Sequence, residues 1–132
     1  MPSDQRKKIL IVDDEKLARA LLRRDLVLAG YDVIVASDGK EALKMIDEVT
    51  PDLIVVDLVM PELNGFETCR RIRNNERTKK TPVIVVSALQ SQSDIAEAKN
   101  SGADVFLTKP FKPQEFIGHV KKFLPSPFKT SS

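Results

Sequence analysis

Short runs of Val, Ile and Leu punctuate the chain at positions 9–12, 33–35 (with Tyr31 just ahead), 53–56, 83–86 and 105–107. The clearest of them are continuous rather than alternating, the pattern of strands covered on both faces in a parallel sheet. Between them the apolar positions recur at helical spacing. Ala18, Leu21, Leu22, Leu26 and Ala29 fall on one face of a first helix, which Gly30 can end in a left-handed turn. Asp38 or Ser37 can cap a second helix that buries Leu43, Ile46 and Val49. Asn64 can cap a third that buries Phe66, Cys69 and Ile72. A fourth, after Gln90, is weakly amphipathic: Ile95 and Ala98 face inward, and Gly102 closes it. The fifth starts near Pro113 and buries Phe116, Ile117, Val120, Phe123 and Leu124. Five strand–helix units in tandem predict one α/β domain: a doubly wound five-stranded parallel sheet, (βα)5, with helices on both faces.

Composition narrows the function classes. At 132 residues the chain is one domain in size, and 42% apolar with 30% charged residues is ordinary for a globular protein. The expected division is a domain over residues 1–124 and a Pro- and Ser-rich tail or start of a linker over 125–132. A formal charge of +2 gives no overall pull toward nucleic acid or anionic lipid. The single cysteine, Cys69, excludes an intramolecular disulfide framework, suits a reducing cytosol and falls on an apolar helix face. The basic stretch Arg6-Lys7-Lys8 leads into an apolar run too short for a signal-peptide core or a membrane span, so the expected location is the cytoplasm.

In doubly wound sheets the ligand site lies beyond the carboxyl ends of the strands. Here those ends collect Asp13-Asp14-Glu15 after strand one, Asp57 after strand three, Ser87 after strand four and Thr108-Lys109-Pro110 after strand five. Carboxylates crowded together repel unless a cation intervenes, and a small all-oxygen site suits Mg²⁺. A metal-bound carboxylate can attack a phosphoryl donor to form an acyl phosphate. Lys109 would add a point charge for the transferred group and Ser87 a hydroxyl. Singly, each residue has a plainer reading: Asp13 and Asp14 as acids at a helix start, Ser87 as a helix cap, Lys109 as a surface lysine. The plainer readings do not explain Asp57 or the convergence of all five on one sheet edge.

The segments Ile9-Leu10-Ile11-Val12-Asp13-Asp14-Glu15, Val55-Val56-Asp57-Leu58-Val59-Met60-Pro61, Val85-Val86-Ser87-Ala88 and Lys109-Pro110-Phe111 resemble the bacterial response-regulator receiver domains, including the stand-alone chemotaxis regulator. The likeness runs from about Lys8 to Leu124. It implies the flavodoxin-like strand order 2-1-3-4-5. It also implies that Asp57 is the phosphoacceptor and that Asp14, Asp57 and the Val59 carbonyl bind Mg²⁺, with Asp13 supporting the metal through water. Ser87 and Lys109 would hold the phosphoryl oxygens, Phe106 would be the aromatic switch residue, and Gly65 the small residue after the phosphoacceptor loop. The peptide between Lys109 and Pro110 would be cis. The implied partners are a sensor histidine kinase or phosphotransfer protein upstream, and a protein partner or fused output domain downstream. No direct contact with nucleic acid or membrane is expected, and a homodimer through the fifth helix is left open. The domain would catalyse its own phosphorylation and dephosphorylation without being a free-standing enzyme.

Val59 and Leu89, two positions past Asp57 and Ser87, are apolar and cannot orient a hydrolytic water, so the acyl phosphate is not expected to be especially short-lived. Arg70, Arg71, Arg73, Arg77, Lys79 and Lys80 form a basic cluster without interleaved aromatics, read as a solvated face or protein-docking patch rather than an RNA site. His119 lies on the fifth helix away from the acidic edge, at the surface or an interface. A flavodoxin would need its first loop to hold a phosphate, which Asp13-Asp14-Glu15 would repel. A haloacid-dehalogenase phosphatase needs Asp-x-Asp on the first strand, and no glycine-rich loop suits a nucleotidase or kinase. The rival from another class is a phosphorylation-independent protein-binding module of the same fold.

Overall fold

The computed structural model describes residues 6–59 and 64–125. Strands and helices alternate strictly: β1 (Lys8–Val12), α1 (Lys16–Leu28), β2 (Asp32–Ala36), α2 (Gly39–Glu48), β3 (Leu53–Asp57), α3 (Gly65–Asn74), β4 (Val83–Ser87), α4 (Gln92–Asn100), β5 (Val105–Thr108) and α5 (Pro113–Phe123). All pairings are parallel, and the sheet order is β2-β1-β3-β4-β5. The doubly wound sheet and its strand order are therefore as the sequence and its resemblance imply.

Strand alternation divides the core into two layers. Leu10, Val12, Ile54, Val56, Val83 and Val85 pack against Ala42 and Ile46 of α2, Cys69 and Ile72 of α3 and Ala98 of α4. Ile9, Ile11, Leu53, Val55, Ile84 and Val86 face the other way, against Leu22 and Leu26 of α1 and Phe116 and Val120 of α5. Each Val, Leu, Ile or Phe side chain among them contributes about 1.5–3 kcal/mol on full burial. This is why β1, β3 and β4 read as unbroken apolar runs: both faces are covered. β2, at the sheet edge, is only partly covered, and Val35 stays 36% exposed.

The helix ends follow local chemistry. Asp38 accepts the Glu41 amide at 2.8 Å, while the Glu41 carboxylate accepts the Ser37 amide at 2.7 Å, a reciprocal cap. Asn64 caps α3 through the Glu67 amide, and Ser91 caps α4 through the Asp94 amide. Each cap stabilises by about 1 kcal/mol. Gly30 and Gly102 adopt φ of 102° and 117° and turn the chain out of α1 and α4. The Tyr31 hydroxyl donates to the Leu124 carbonyl, tying the start of β2 to the end of α5.

Several side chains depart from the helical-wheel expectation. Leu21 is 44% exposed and Phe123 37% exposed. Leu17, Val27 and Leu28 are exposed as well, so α1 carries more apolar residues than its buried face can take. Val49 and Leu124 lie just past α2 and α5 as their C-terminal caps, and Leu124 is nonetheless buried. The basic cluster is not a free face. Arg73 donates to the carbonyls of Gly102, Thr78, Lys79 and Thr81 and to Asp104, joining α3 to the loops before β4 and β5. Arg70 and Arg71 pair with Glu67, Arg70 also with Glu97, Lys79 with Glu76, and Arg77 donates to the Asp47 carbonyl.

Candidate functional site

Parallel register brings the strand ends together. Val12 of β1 pairs with Val56 of β3, so the residue after each, Asp13 and Asp57, stand side by side. Asp57 pairs with Val86 of β4, and Ser87 with Thr108 of β5. The main chain then carries Lys109 into the site: its amide donates to the Ser87 carbonyl at 2.8 Å, and the Lys109–Pro110 peptide is cis.

Asp13 is fully buried, Asp57 only 7% exposed, and Asp14 is exposed. One carboxylate oxygen from each lies within 4.8 Å of the others. Lys109 Nζ donates to Asp57 Oδ2 at 3.3 Å and stands 3.5 Å from Asp13 Oδ2. The remaining oxygens are held locally: Asp57 Oδ1 accepts the Val59 amide at 3.1 Å, and Asp13 Oδ1 accepts the Glu15 amide at 2.9 Å. Asp13 Oδ2 has no hydrogen-bond partner, and Lys109 meets it only as an ion pair.

The electrostatics follow from crowding in a dry place. Burial pushes the Asp13 carboxyl above the usual aspartate range, outweighing the Glu15 amide and Lys109, and the Asp57 charge adds to the effect. Burial alone would lower the Lys109 pKa, but Asp13 and Asp57 beside it raise it above the ordinary lysine value. One ammonium thus faces two buried carboxylates with a third acid at their edge. A hard cation with oxygen ligands fits this donor set: three carboxylates, one of them with an oxygen that lacks a hydrogen-bond partner.

The geometry bears on the capping readings of Asp13, Asp14 and Ser87. Neither Asp13 nor Asp14 caps α1, whose N-cap is Glu15 without a side-chain bond. Ser91, not Ser87, caps α4, and Ser87 Oγ instead accepts the Leu89 amide at 3.1 Å. Val59 is 57% exposed beside Asp57. Met60 and Pro61 of the second motif lie outside the described residues. Phe106 is not in the cluster: it pairs with Val85 across the sheet and is half-buried against the α2–α4 layer. Gly65 fits because its amide donates to the Leu58 carbonyl at 3.0 Å, with β3 pressed against the start of α3.

Two features escaped sequence reasoning. Arg19 of α1 donates to the Asp13 carbonyl at 2.9 Å. A cavity of about 560 Å³ opens beside the acids between α1 and the β5–α5 loop, lined by Leu21, Leu22, Phe111 and Pro113 among others. The arginine gives no sequence signal, because one more cation on a basic helix reads as solvated. The cavity shares residues with the surplus apolar face of α1, whose exposure only the fold reveals.

The family model described as the response regulator receiver domain matches residues 9–121. This chain belongs to that family. It is a receiver domain of two-component signalling. PilG of Pseudomonas aeruginosa is 41% identical over 90% of this chain and 88% of its own length. PhoP of Bacillus subtilis, an alkaline phosphatase synthesis transcriptional regulatory protein, is 43% identical over 89% of this chain. The chain spans only 48% of PhoP, and about half of the other transcriptional regulators it matches. Among solved structures, chemotaxis protein CheY4 of Vibrio cholerae superposes with a TM-score of 0.86 at 34% identity, covering 90% of this chain and 99% of CheY4. Response regulator TrrA of Thermotoga maritima, solved in complex with Mg²⁺ and BeF, gives 0.80 at 35% identity over 89% of this chain and 99% of TrrA. Among the described residues of this chain, no helix is long and apolar enough to cross a membrane.

Proposed function

We propose that this receiver domain accepts a phosphoryl group onto Asp57, from a phosphohistidine on a sensor kinase or phosphotransfer protein, in a Mg²⁺-dependent reaction. The observation that carries the reading is the meeting of three carboxylate oxygens within 4.8 Å with Lys109 Nζ 3.3 Å from Asp57. Asp14, Asp57 and the Val59 carbonyl would hold the ion, with Asp13 behind them. When bound, it supplies charge neutralisation for the acids and for the phosphoryl oxygens.

The chain's own groups do the rest. A carboxylate oxygen of Asp57 attacks phosphorus, the phosphorus–nitrogen bond breaks, and its electron pair leaves with the donor imidazole. Lys109, whose ammonium donates to Asp57 at 3.3 Å, would face the incoming charge, and Ser87 lies one hydrogen bond away through the Lys109 backbone. Such transfer depends on positioning and charge stabilisation more than on covalent help. The donor protein would dock over the apolar cavity between α1 and the β5–α5 loop, which opens beside Asp57's edge of the sheet.

The product carries roughly −1.5 to −2 charge at Asp57. Ser87 would move toward it and half-buried Phe106 would turn inward, changing the surface formed by α4, β5 and α5. The fourth helix suits that role, with Ala98 its single fully buried residue. Output would pass to a protein partner or a fused domain. Residues 1–124 form the switch, residues 125–132 its tail or linker, and the cytoplasm is the compartment. Direct contact of this domain with nucleic acid is not expected, since the basic cluster has no interleaved aromatics and Arg70, Arg71, Arg73, Arg77 and Lys79 are engaged within the domain. With Val59 exposed and apolar beside Asp57 and Leu89 apolar after Ser87, the acyl phosphate would not be especially short-lived.

The test is intact mass after incubation with acetyl phosphate, with and without Mg²⁺, alongside Asp57→Ala. A single Mg²⁺-dependent phosphoryl adduct that the substitution abolishes is expected. Absence of an adduct under every condition overturns the reading and leaves a phosphorylation-independent binding module.

A further inference from the structure

Asp14 is the acid of the cluster that nothing holds. Among the described residues its side chain makes no hydrogen bond or ion pair, unlike Asp13 and Asp57. Its direction must therefore come through the main chain. The connection from β1 to α1 is only Asp13, Asp14 and Glu15, and α1 begins without a side-chain cap. Such an end is free to fray.

Arg19 closes it from the other side. One turn into α1, its Nη1 reaches back and donates to the Asp13 carbonyl at 2.9 Å, its single polar side-chain contact among the described residues. That carbonyl and the Asp14 amide belong to one rigid peptide plane. Fixing the carbonyl fixes the plane, and the plane sets where the Asp14 side chain leaves the backbone. The guanidinium is a stiff donor suited to holding one orientation. The Asp13 amide, bonded to the Ala36 carbonyl at 3.1 Å, anchors the residue on its other side.

We infer that Arg19 is a positioning residue for the divalent-cation site: it orients the Asp13–Asp14 peptide and thereby aims the Asp14 carboxylate at the ion. This rests on the Mg²⁺-dependent reading above. The sign of its effect separates positioning from charge. A nearby cation by itself repels Mg²⁺, so loss of a merely electrostatic arginine would tighten binding or leave it alone. Loss of a positioning arginine weakens binding, and removal of such supporting contacts typically costs about 10–100-fold in metal affinity.

The experiment is a Mg²⁺ titration followed by amide resonances of residues 13–15 and 57–59, for the unsubstituted protein, Arg19→Met, Arg19→Lys and Asp14→Asn. Arg19→Met, which keeps the stem and removes the donor, is expected to raise the Mg²⁺ dissociation constant about tenfold. It should also shift the Asp14 amide resonance before any metal is added. Arg19→Lys should recover part of both effects. If Arg19→Met does not fold, Arg19→Gln carries the same expectation, with a shorter, uncharged reach. Unchanged or tighter Mg²⁺ binding in the Met or Gln variant, with Asp14→Asn still abolishing it, overturns the role of Arg19 alone. Absence of Mg²⁺ binding by the unsubstituted protein overturns the metal reading and this inference with it.

Discussion

The same substitution, Gly→Ala, should have opposite effects in two helices of this domain. At Gly65, the first residue of α3, an added Cβ would sit 2.5 Å from Leu58 Cα and in overlap with the Asp57 carbonyl oxygen. Those are backbone atoms of β3 and its exit, with no flexible side chain to move aside. Ordinary contact needs about 3.5–4.0 Å between carbons, so α3 must retreat by about 1 Å or β3 must bend. Overpacking of this kind costs about 1–3 kcal/mol. At Gly118, in the middle of α5, a Cβ would meet nothing within 4 Å. There alanine gains helix propensity and loses unfolded-state entropy, stabilising by about 0.5–1 kcal/mol. For a chain of this size about 1 kcal/mol moves Tm by roughly 3–5 °C. Thermal melts followed by circular dichroism, without Mg²⁺, should show Gly118→Ala a few degrees above the unsubstituted protein and Gly65→Ala several degrees below. Gly65→Ala should also slow phosphorylation by acetyl phosphate, because the displaced backbone carries Asp57. A Gly65→Ala protein as stable as the unsubstituted one would refute the close approach of α3 to β3. A Gly118→Ala protein that melts lower would refute the open outer face of α5.

Three further outcomes follow from the site and the core. Asp13→Asn should raise Tm of the metal-free protein at pH 7: a carboxyl whose folded pKa lies above 3.8 binds protons more readily when folded, so stability falls as pH rises between the two values. The amide removes that loss, and melts from pH 3 to 7 should show the gain appear only on the neutral side, while equal Tm values throughout would refute it. Cys69, fully buried with its thiol pushed up to about 12 by burial, should resist iodoacetamide at pH 8 until the protein is unfolded, as read by mass; rapid native labelling would contradict its place in the α3 core. Val59→Asn places a water-orienting amide beside Asp57 and should shorten the lifetime of the phosphorylated state, measured as phosphate release after excess donor is removed; an unchanged decay rate counts against the apolar-wall argument.

The sequence was most legible where burial is total. β1, β3 and β4 are covered on both faces, so their residues had to be apolar without interruption, and the polar residue that ends each run marks the edge where the site lies. Two caps were legible for the same local reason, since Asp38 and Asn64 act within three residues of themselves, whereas for α4 the sequence offered Ser87 and the cap is Ser91. What failed was information carried between distant elements. The apolar arc of α1 is wider than the groove it fills, and nothing in its spacing says that Leu22 and Leu26 are covered while Leu21 is not. Arg73 looked like part of a charged face, yet its partners, Gly102 and Asp104, lie about thirty residues away. Pairing of that range leaves no trace in a single chain's periodicity.

The acids explain why such a site can respond at all. A fully buried Asp13 with an oxygen that lacks a hydrogen-bond partner is a standing cost to the folded state. Lys109 offsets part of it but divides one positive charge between two carboxylates, at 3.5 and 3.3 Å. The resting cluster is therefore short of positive charge, so a divalent cation should bind there with a gain and a phosphoryl group arriving with the cation should not be rejected. Without the ion, the added negative charge would face Asp13 and Asp14 with Lys109 as the one cation of the cluster. On this argument the proposed Mg²⁺ dependence would not be an accessory of the chemistry. It follows from having three carboxylates and one ammonium at the end of the same sheet, and raising ionic strength, which screens exposed charges but not buried ones, should not replace the ion.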